Sequence, residues 1–244
     1  MSKRRFSVLR GDKVIYIPIK RSVEKDYPFY DPPEIVWNKI NLRCWDYRRN
    51  ADLFRLRDKA LMCLLYLSCC RVSEVVRAEV KAGYLPSVRK SQFVVIGDFL
   101  MFRGVKVVKH KYVKKGGRWV KIESVDDYPV REEIDMPLKG GLSKFTNVIV
   151  SYLEKLEDDE ELFKFGPKRA HQIVKYCSGE FPHYFREMGL KLRLRLFDKN
   201  IVQLQEFSGH KKLDNLVRYL REIEREESRK RMLEYPWVGE EHPK

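Results

Sequence analysis

The sequence predicts an α+β fold, mainly helical with one small antiparallel sheet. Three observations predict it. Apolar residues recur at three- and four-residue spacing from Leu53 to Leu67 and again from Phe145 to Leu156, the period of a helix with a buried face. Between Gln92 and Leu138 the period falls towards two and glycines punctuate it, as in short strands joined by turns. Hydrophobic residues make up 43% of the 244, enough for a closed core rather than a disordered basic tail.

Taken in order, residues 1–50 read as a basic N-terminal extension. Lys3-Arg4-Arg5, Lys20-Arg21 and Arg48-Arg49 alternate with aromatics and with Pro32-Pro33, and no helical period is visible. A compact domain is expected over 51–232. Its first helix holds Leu53, Leu56, Ala60, Leu61, Leu64, Leu65 and Leu67 and ends near Cys69-Cys70. Arg71-Val72-Ser73-Glu74 opens the next, with Ser73 as the cap and Glu74 in the first turn.

Four short strands follow: Phe93-Val94-Val95-Ile96, Phe99-Leu100-Met101-Phe102, Val105-Lys106-Val107-Val108 and Glu133-Ile134-Asp135-Met136. Turns are expected at Gly97-Asp98, Gly104 and Gly116-Gly117. Residues 143–178 return to helix, broken at Gly166-Pro167, and His171 has no partner at metal-ligand spacing. Glu224 to Arg231 alternates acids and bases as an exposed helix does, and 233–244 is a short tail with an apolar-aromatic start.

Bulk composition narrows the function. A formal net charge of +15 favours a polyanionic partner through phosphate neutralisation, so nucleic acid leads and an anionic membrane surface follows. The longest apolar run, Ala60 to Leu67, is too short to span a bilayer, and Met1 to Lys13 lacks the apolar stretch of a signal peptide; a cytoplasmic protein is expected. Five cysteines without a C-x-x-C pair suggest neither a disulfide framework nor a zinc site.

The stretch from Phe181 to Leu220 carries the chemistry. His183-Tyr184-Phe185-Arg186 forms an H-x-x-R unit, Ser208-Gly209-His210 follows, and Tyr219 lies nine residues beyond that histidine. Guanidinium groups suit a phosphodiester whose charge grows in a pentavalent transition state, because they stay protonated and offer planar paired donors. A phenol is a poor nucleophile at neutral pH and needs cationic neighbours or a base, for which His183 is the candidate. On helical spacing Leu213, Leu216, Val217, Leu220 and Ile223 form an apolar stripe with Tyr219 at its margin, its hydroxyl expected to face a basic groove. Each piece also has a plain reading: Arg71 as a surface partner of Glu74, Ser208-Gly209-His210 as a helix-ending turn, and Tyr219 as a core-edge residue.

These motifs, in this order, resemble the catalytic domain of the tyrosine recombinases, the phage-type integrase family. Ser68 to Glu74 resembles the family's T-G-x-R-x-x-E, which makes Arg71 the first catalytic arginine, with Arg186 the second. The resemblance implies His183, His210 and the nucleophile Tyr219, and a hairpin lysine that protonates the leaving oxygen. Lys109 is favoured for that lysine, with Lys106 and Lys111 as competitors. It further implies cleavage and rejoining of DNA through a 3′-phosphotyrosine, a tetramer in synapsis, and no metal or other cofactor. Its biological setting would be integration, excision or multimer resolution.

Departures are Cys69 for glycine, Phe185 and Ser208 for leucine, and no room for the family's helical core-binding domain. Two rivals stand beside this reading: a type IB topoisomerase-like relaxing enzyme, and a non-catalytic DNA-binding module.

Overall fold

The computed structural model describes residues 5–10, 13–18, 30–80, 83–105, 109–116, 118–125, 131–210 and 213–234. Two strands, β1 (Arg5–Arg10) and β2 (Lys13–Pro18), pair antiparallel. Helix α1 (Pro33–Ile40) follows, where no helix was expected. It has only two turns, too few to show a period, but Pro33 sits at a first-turn position where its missing N–H costs nothing. Val36 and Ile40 are fully buried in the main core, and Trp37 meets Phe145 edge-on at 5.2 Å.

Helix α2 (Ala51–Ser68) is the centre of the molecule. From Ala60 to Cys70 every residue is buried, because helices or strands lie against it on all sides. Polar groups thin out accordingly along its second half, and Ser68 turns its hydroxyl back to the Leu64 carbonyl at 2.5 Å. Beyond it lie the one-turn helix α3 (Val72–Val75) and a small hairpin of β3 (Ala78–Val80) and β4 (Gly83–Leu85). Ser73 does not cap α3. Arg71 takes that place, and its backbone N–H donates to Glu74 Oε2 at 2.7 Å.

A three-stranded antiparallel sheet is built from β5 (Phe93–Ile96), β6 (Phe99–Val105) and, after an intervening hairpin of β7 (Lys109–Lys115) and β8 (Arg118–Val125), β9 (Arg131–Pro137). Period-two patterning is realised here: Leu100 and Phe102 face the core opposite Met136 and Ile134, while Glu133 and Asp135 face out. Gly104, expected in a turn, lies inside β6 with φ +62, between Arg103 and Val105, which pair with Glu133 and Arg131. Residues 106–108, expected to continue a strand, lie outside the described residues.

Helices α4 (Ser143–Leu153) and α5 (Pro167–Ser178) complete the first core. Helix α6 (Pro182–Leu196) is buried on nearly every side and belongs to two cores. Tyr184, Phe185, Met188 and Leu192 join the main cluster. Leu190 and Leu194 join a second cluster with Cys69, Leu204 of α7 (Ile201–Ser208), and Leu216, Tyr219 and Ile223 of α8 (Asp214–Glu234). The seam between the clusters is where α2 ends and α6 crosses it. Among the described residues no helix is long and apolar enough to cross a membrane.

Candidate active site

Helix α2 stops because Cys69 adopts a left-handed conformation, φ +53, which costs a residue with a Cβ about 1–2 kcal/mol. A glycine at this position would avoid that cost. The turn aims the Cys69 carbonyl at α6, where Arg186 Nη1 donates to it. A glycine makes the approach possible. A Cβ on Gly189 would sit 2.0 Å from the Tyr66 carbonyl oxygen and 2.9 Å from Cys69 Sγ, distances no real side chain tolerates. Gly189 lies one turn after Arg186, and Cys69 two residues before Arg71, so this contact draws the two arginines together.

They meet on Glu74. Arg71 Nη1 lies 2.9 Å from Glu74 Oε1, and Arg186 Nη1 lies 3.8 Å from Oε2. The carboxylate is 1% exposed, so its negative charge is held away from water between two permanent cations. The plain reading of Arg71 as Glu74's partner is thus correct as geometry and is also how the pair is aligned. Arg71 remains partly open to solvent, whereas Arg186 is 2% exposed.

His210 is brought in by the end of α7. Asn200 caps that helix, its Oδ1 accepting from the N–H groups of Val202 and Gln203, both at 3.1 Å. Gly209 ends it with φ +65, a conformation that favours glycine, and its N–H donates to the Gln205 carbonyl at 2.9 Å. His210 then presents Nε2 to Arg186 Nη2 at 3.3 Å, while Nδ1 faces the Ser208 hydroxyl at 2.6 Å.

Tyr219 is 3% exposed, in the middle of the buried α8 face and not at its margin. The expected stripe was mis-centred because Leu213 precedes the helix and is exposed; the true face is Leu216, Tyr219 and Ile223. The phenol oxygen accepts from Arg218 Nη2 at 3.2 Å. Burial raises the Tyr219 pKa, and Glu187 raises it further, while Arg218 and Arg186 pull it down. His183 reaches solvent, yet packed protein around its ring lowers its pKa below the ordinary histidine value. Glu187 opposes that shift, and Arg186, Arg218 and Arg71 add to it.

Five of the six expected residues, Arg71, His183, Arg186, His210 and Tyr219, therefore share one electrostatic neighbourhood. The sixth, Lys109, lies on β7 opposite Val125, Lys111 lies opposite Glu123, and Lys106 falls outside the described residues. Two contributors escaped the sequence reading, Gly189 as the gap and Arg218 on the phenol, and of these only Arg218 had a local signal, its adjacency to Tyr219; Glu74 and Ser208 were singled out, but not as the bridge between the arginines and the partner of His210 Nδ1. Among the described residues no group of histidines, cysteines and acids is placed to hold a metal ion.

No protein-family model matches the chain, and no curated protein matches it either. Solved structures do. The XerH site-specific recombinase bound to difH substrate in a pre-cleavage complex aligns with 77% of this chain and 47% of its own, at 13% identity and a TM-score of 0.49. A post-cleavage complex of XerH with palindromic difH substrate aligns with 88% of this chain and 56% of its own, at 13% identity and a TM-score of 0.51. The chain thus spans about half the length of the recombinase chains it matches. The likeness is one of fold: among the described residues, eight α-helices and small antiparallel sheets in the arrangement of a recombinase domain.

Proposed function

We propose that the chain is a DNA strand transferase of the tyrosine-recombinase type, cleaving and rejoining double-stranded DNA through Tyr219. The observation that supports it most is the meeting of Arg71 and Arg186 on buried Glu74, with His210 on Arg186 and Tyr219 within reach of the same charges.

In this mechanism the two guanidiniums and His210 hold the non-bridging oxygens of one phosphate as its charge rises. The Tyr219 oxygen attacks phosphorus and its proton passes to neutral His183. The bond from phosphorus to the 5′-oxygen breaks, and that oxygen takes a proton from the hairpin lysine, Lys109 with Lys106 and Lys111 as rivals. A 3′-phosphotyrosine keeps the bond energy, so a 5′-hydroxyl reverses the step without ATP or metal. Tyr219 and Arg186 are both buried, so α8 has to shift before either touches DNA.

Helix α5 supplies a face for the duplex. Lys168, His171, Gln172, Lys175 and Tyr176 are exposed along it, and it carries no acid. A helix of that character fits the major groove, where histidine, glutamine and lysine meet base edges and phosphates. Synapsis by a tetramer of this chain completes the reading.

The test is covalent trapping. A nicked suicide duplex should leave an SDS-resistant adduct with wild type and none with Tyr219→Phe. One observation favours a second reading, a non-catalytic DNA-binding module: the burial of Tyr219. Retained duplex binding with no adduct on any DNA decides for that module.

A further inference from the structure

Where the tyrosine recombinases carry leucine before the glycine-histidine pair, this chain has Ser208, 2% exposed and with its hydroxyl 2.6 Å from His210 Nδ1. We propose that Ser208 is a positioning residue that sets the tautomer of His210, holding its Nε2 as an acceptor for Arg186 and, by reversing its own hydroxyl, converting Nε2 to a donor for a phosphate oxygen. The second half rests on the strand-transferase reading; the first does not.

The polarity follows from what each group can do. A guanidinium has donors and no acceptor, so the 3.3 Å contact is a hydrogen bond only if His210 Nε2 offers a lone pair. A neutral imidazole with a bare Nε2 carries its proton on Nδ1. Nδ1–H then donates to Ser208 Oγ, which can accept because its own hydrogen has another acceptor in the Gln205 carbonyl, 3.5 Å away. Gln205 Nε2 donates to the His210 carbonyl at 2.9 Å, so the ring and the serine are held by one short segment.

A phosphate oxygen accepts and never donates, so the contact that stabilises it needs hydrogen on Nε2. The serine hydrogen swings from the Gln205 carbonyl to Nδ1, the imidazole gives its Nδ1 proton to water and takes one proton from water at Nε2. The ring's charge does not change. Leucine or alanine at 208 can neither accept nor donate and leaves only the longer 3.3 Å contact from Arg186 to bias the tautomer; threonine keeps the hydroxyl.

Long-range proton–nitrogen NMR of the full ¹⁵N-labelled chain reads the tautomer directly, with His210 assigned by its loss in His210→Gln. The free wild type is expected to show the Nδ1–H pattern, Ser208→Ala a mixture, and Ser208→Thr the wild-type pattern. Binding a nicked duplex should move wild type to Nε2–H. Adduct formation should fall roughly five- to tenfold in Ser208→Ala, the worth of one hydrogen bond, at unchanged duplex affinity, and recover in Ser208→Thr. An Nε2–H pattern in the free protein overturns the proposal, as does an Nδ1–H pattern that persists in the duplex complex. If no duplex binds in an anisotropy titration, the strand-transferase reading fails and the phosphate step falls with it, while the free-protein spectrum still decides whether Ser208 selects the tautomer. The wild-type spectra need no variant, so poor folding of Ser208→Ala leaves them decisive.

Discussion

A base that takes a phenol's proton has to be neutral at working pH, and the folded protein keeps His183 so. Its pKa lies below the ordinary value of 6.5, first through desolvation and then through the cations of Arg186, Arg218 and Arg71. The folded chain therefore binds this proton less readily than the unfolded chain does. Its contribution to stability is complete above pH 6.5 and is lost as pH falls through the folded value. The same sign governs activity: adduct formation should hold between pH 6.5 and 8 and fall on an acid limb below 6.5, and that limb should vanish in the slower His183→Gln variant. Pre-steady-state trapping across pH measures it. At this scale the candidate residues were legible by type and order, but not their state. Nothing local in the sequence says that Tyr219 is covered or that Glu74 joins two arginines, because both depend on how α2, α6 and α8 pack.

Between elements, the crossing of α2 and α6 decides whether a site exists. Gly189→Ala places a methyl against a backbone oxygen that cannot swing aside, so the helices have to part. The expected cost is about 3 kcal/mol, a fall in melting temperature of roughly 10 °C for a chain of this size, read by calorimetry. A melting temperature within 2 °C of wild type would mean the helices do not cross so closely. Helix α8 is held differently. Lys191 and Arg195, one turn apart on α6, and Lys199, just past the end of that helix, pair with Glu222 at 2.7 Å, Glu226 at 2.8 Å and Glu227 at 2.5 Å. Only the first of these cations is fully buried, and the outer pairs are the partly exposed kind worth about 0.2–1 kcal/mol each. The shift proposed for α8 therefore has to break the buried Lys191–Glu222 pair and uncover Leu216 and Ile223 as well as part the outer pairs. Long periodic elements such as α2 were legible from their apolar spacing; α1 was not, having two turns, and Gly104 misled because a glycine also fits inside a strand.

Over the whole molecule the excess of cations, +15 in all, should dominate any encounter with DNA. A protein that neutralises about six phosphates loses on the order of 10³ in affinity between 50 and 200 mM salt. Anisotropy titrations of a labelled duplex should show a log–log slope near −5; a slope shallower than −2 would remove the electrostatic support for a DNA partner. The fold class was readable from periodicity, and the order of the motifs marked out the residues that the fold gathers into the candidate site. Their spacing in three dimensions was not readable, since it hangs on a contact between main chains. That contact has a consequence for how such a protein drifts over time. Two guanidiniums brought together by a main-chain approach and one shared carboxylate tolerate many changes in the other side chains around them, which suits a likeness of fold at 13% identity. Any distant cousin that spaces its arginines this way has to preserve a vacancy where a methyl would go, and so will be known by an absence as much as by its charges.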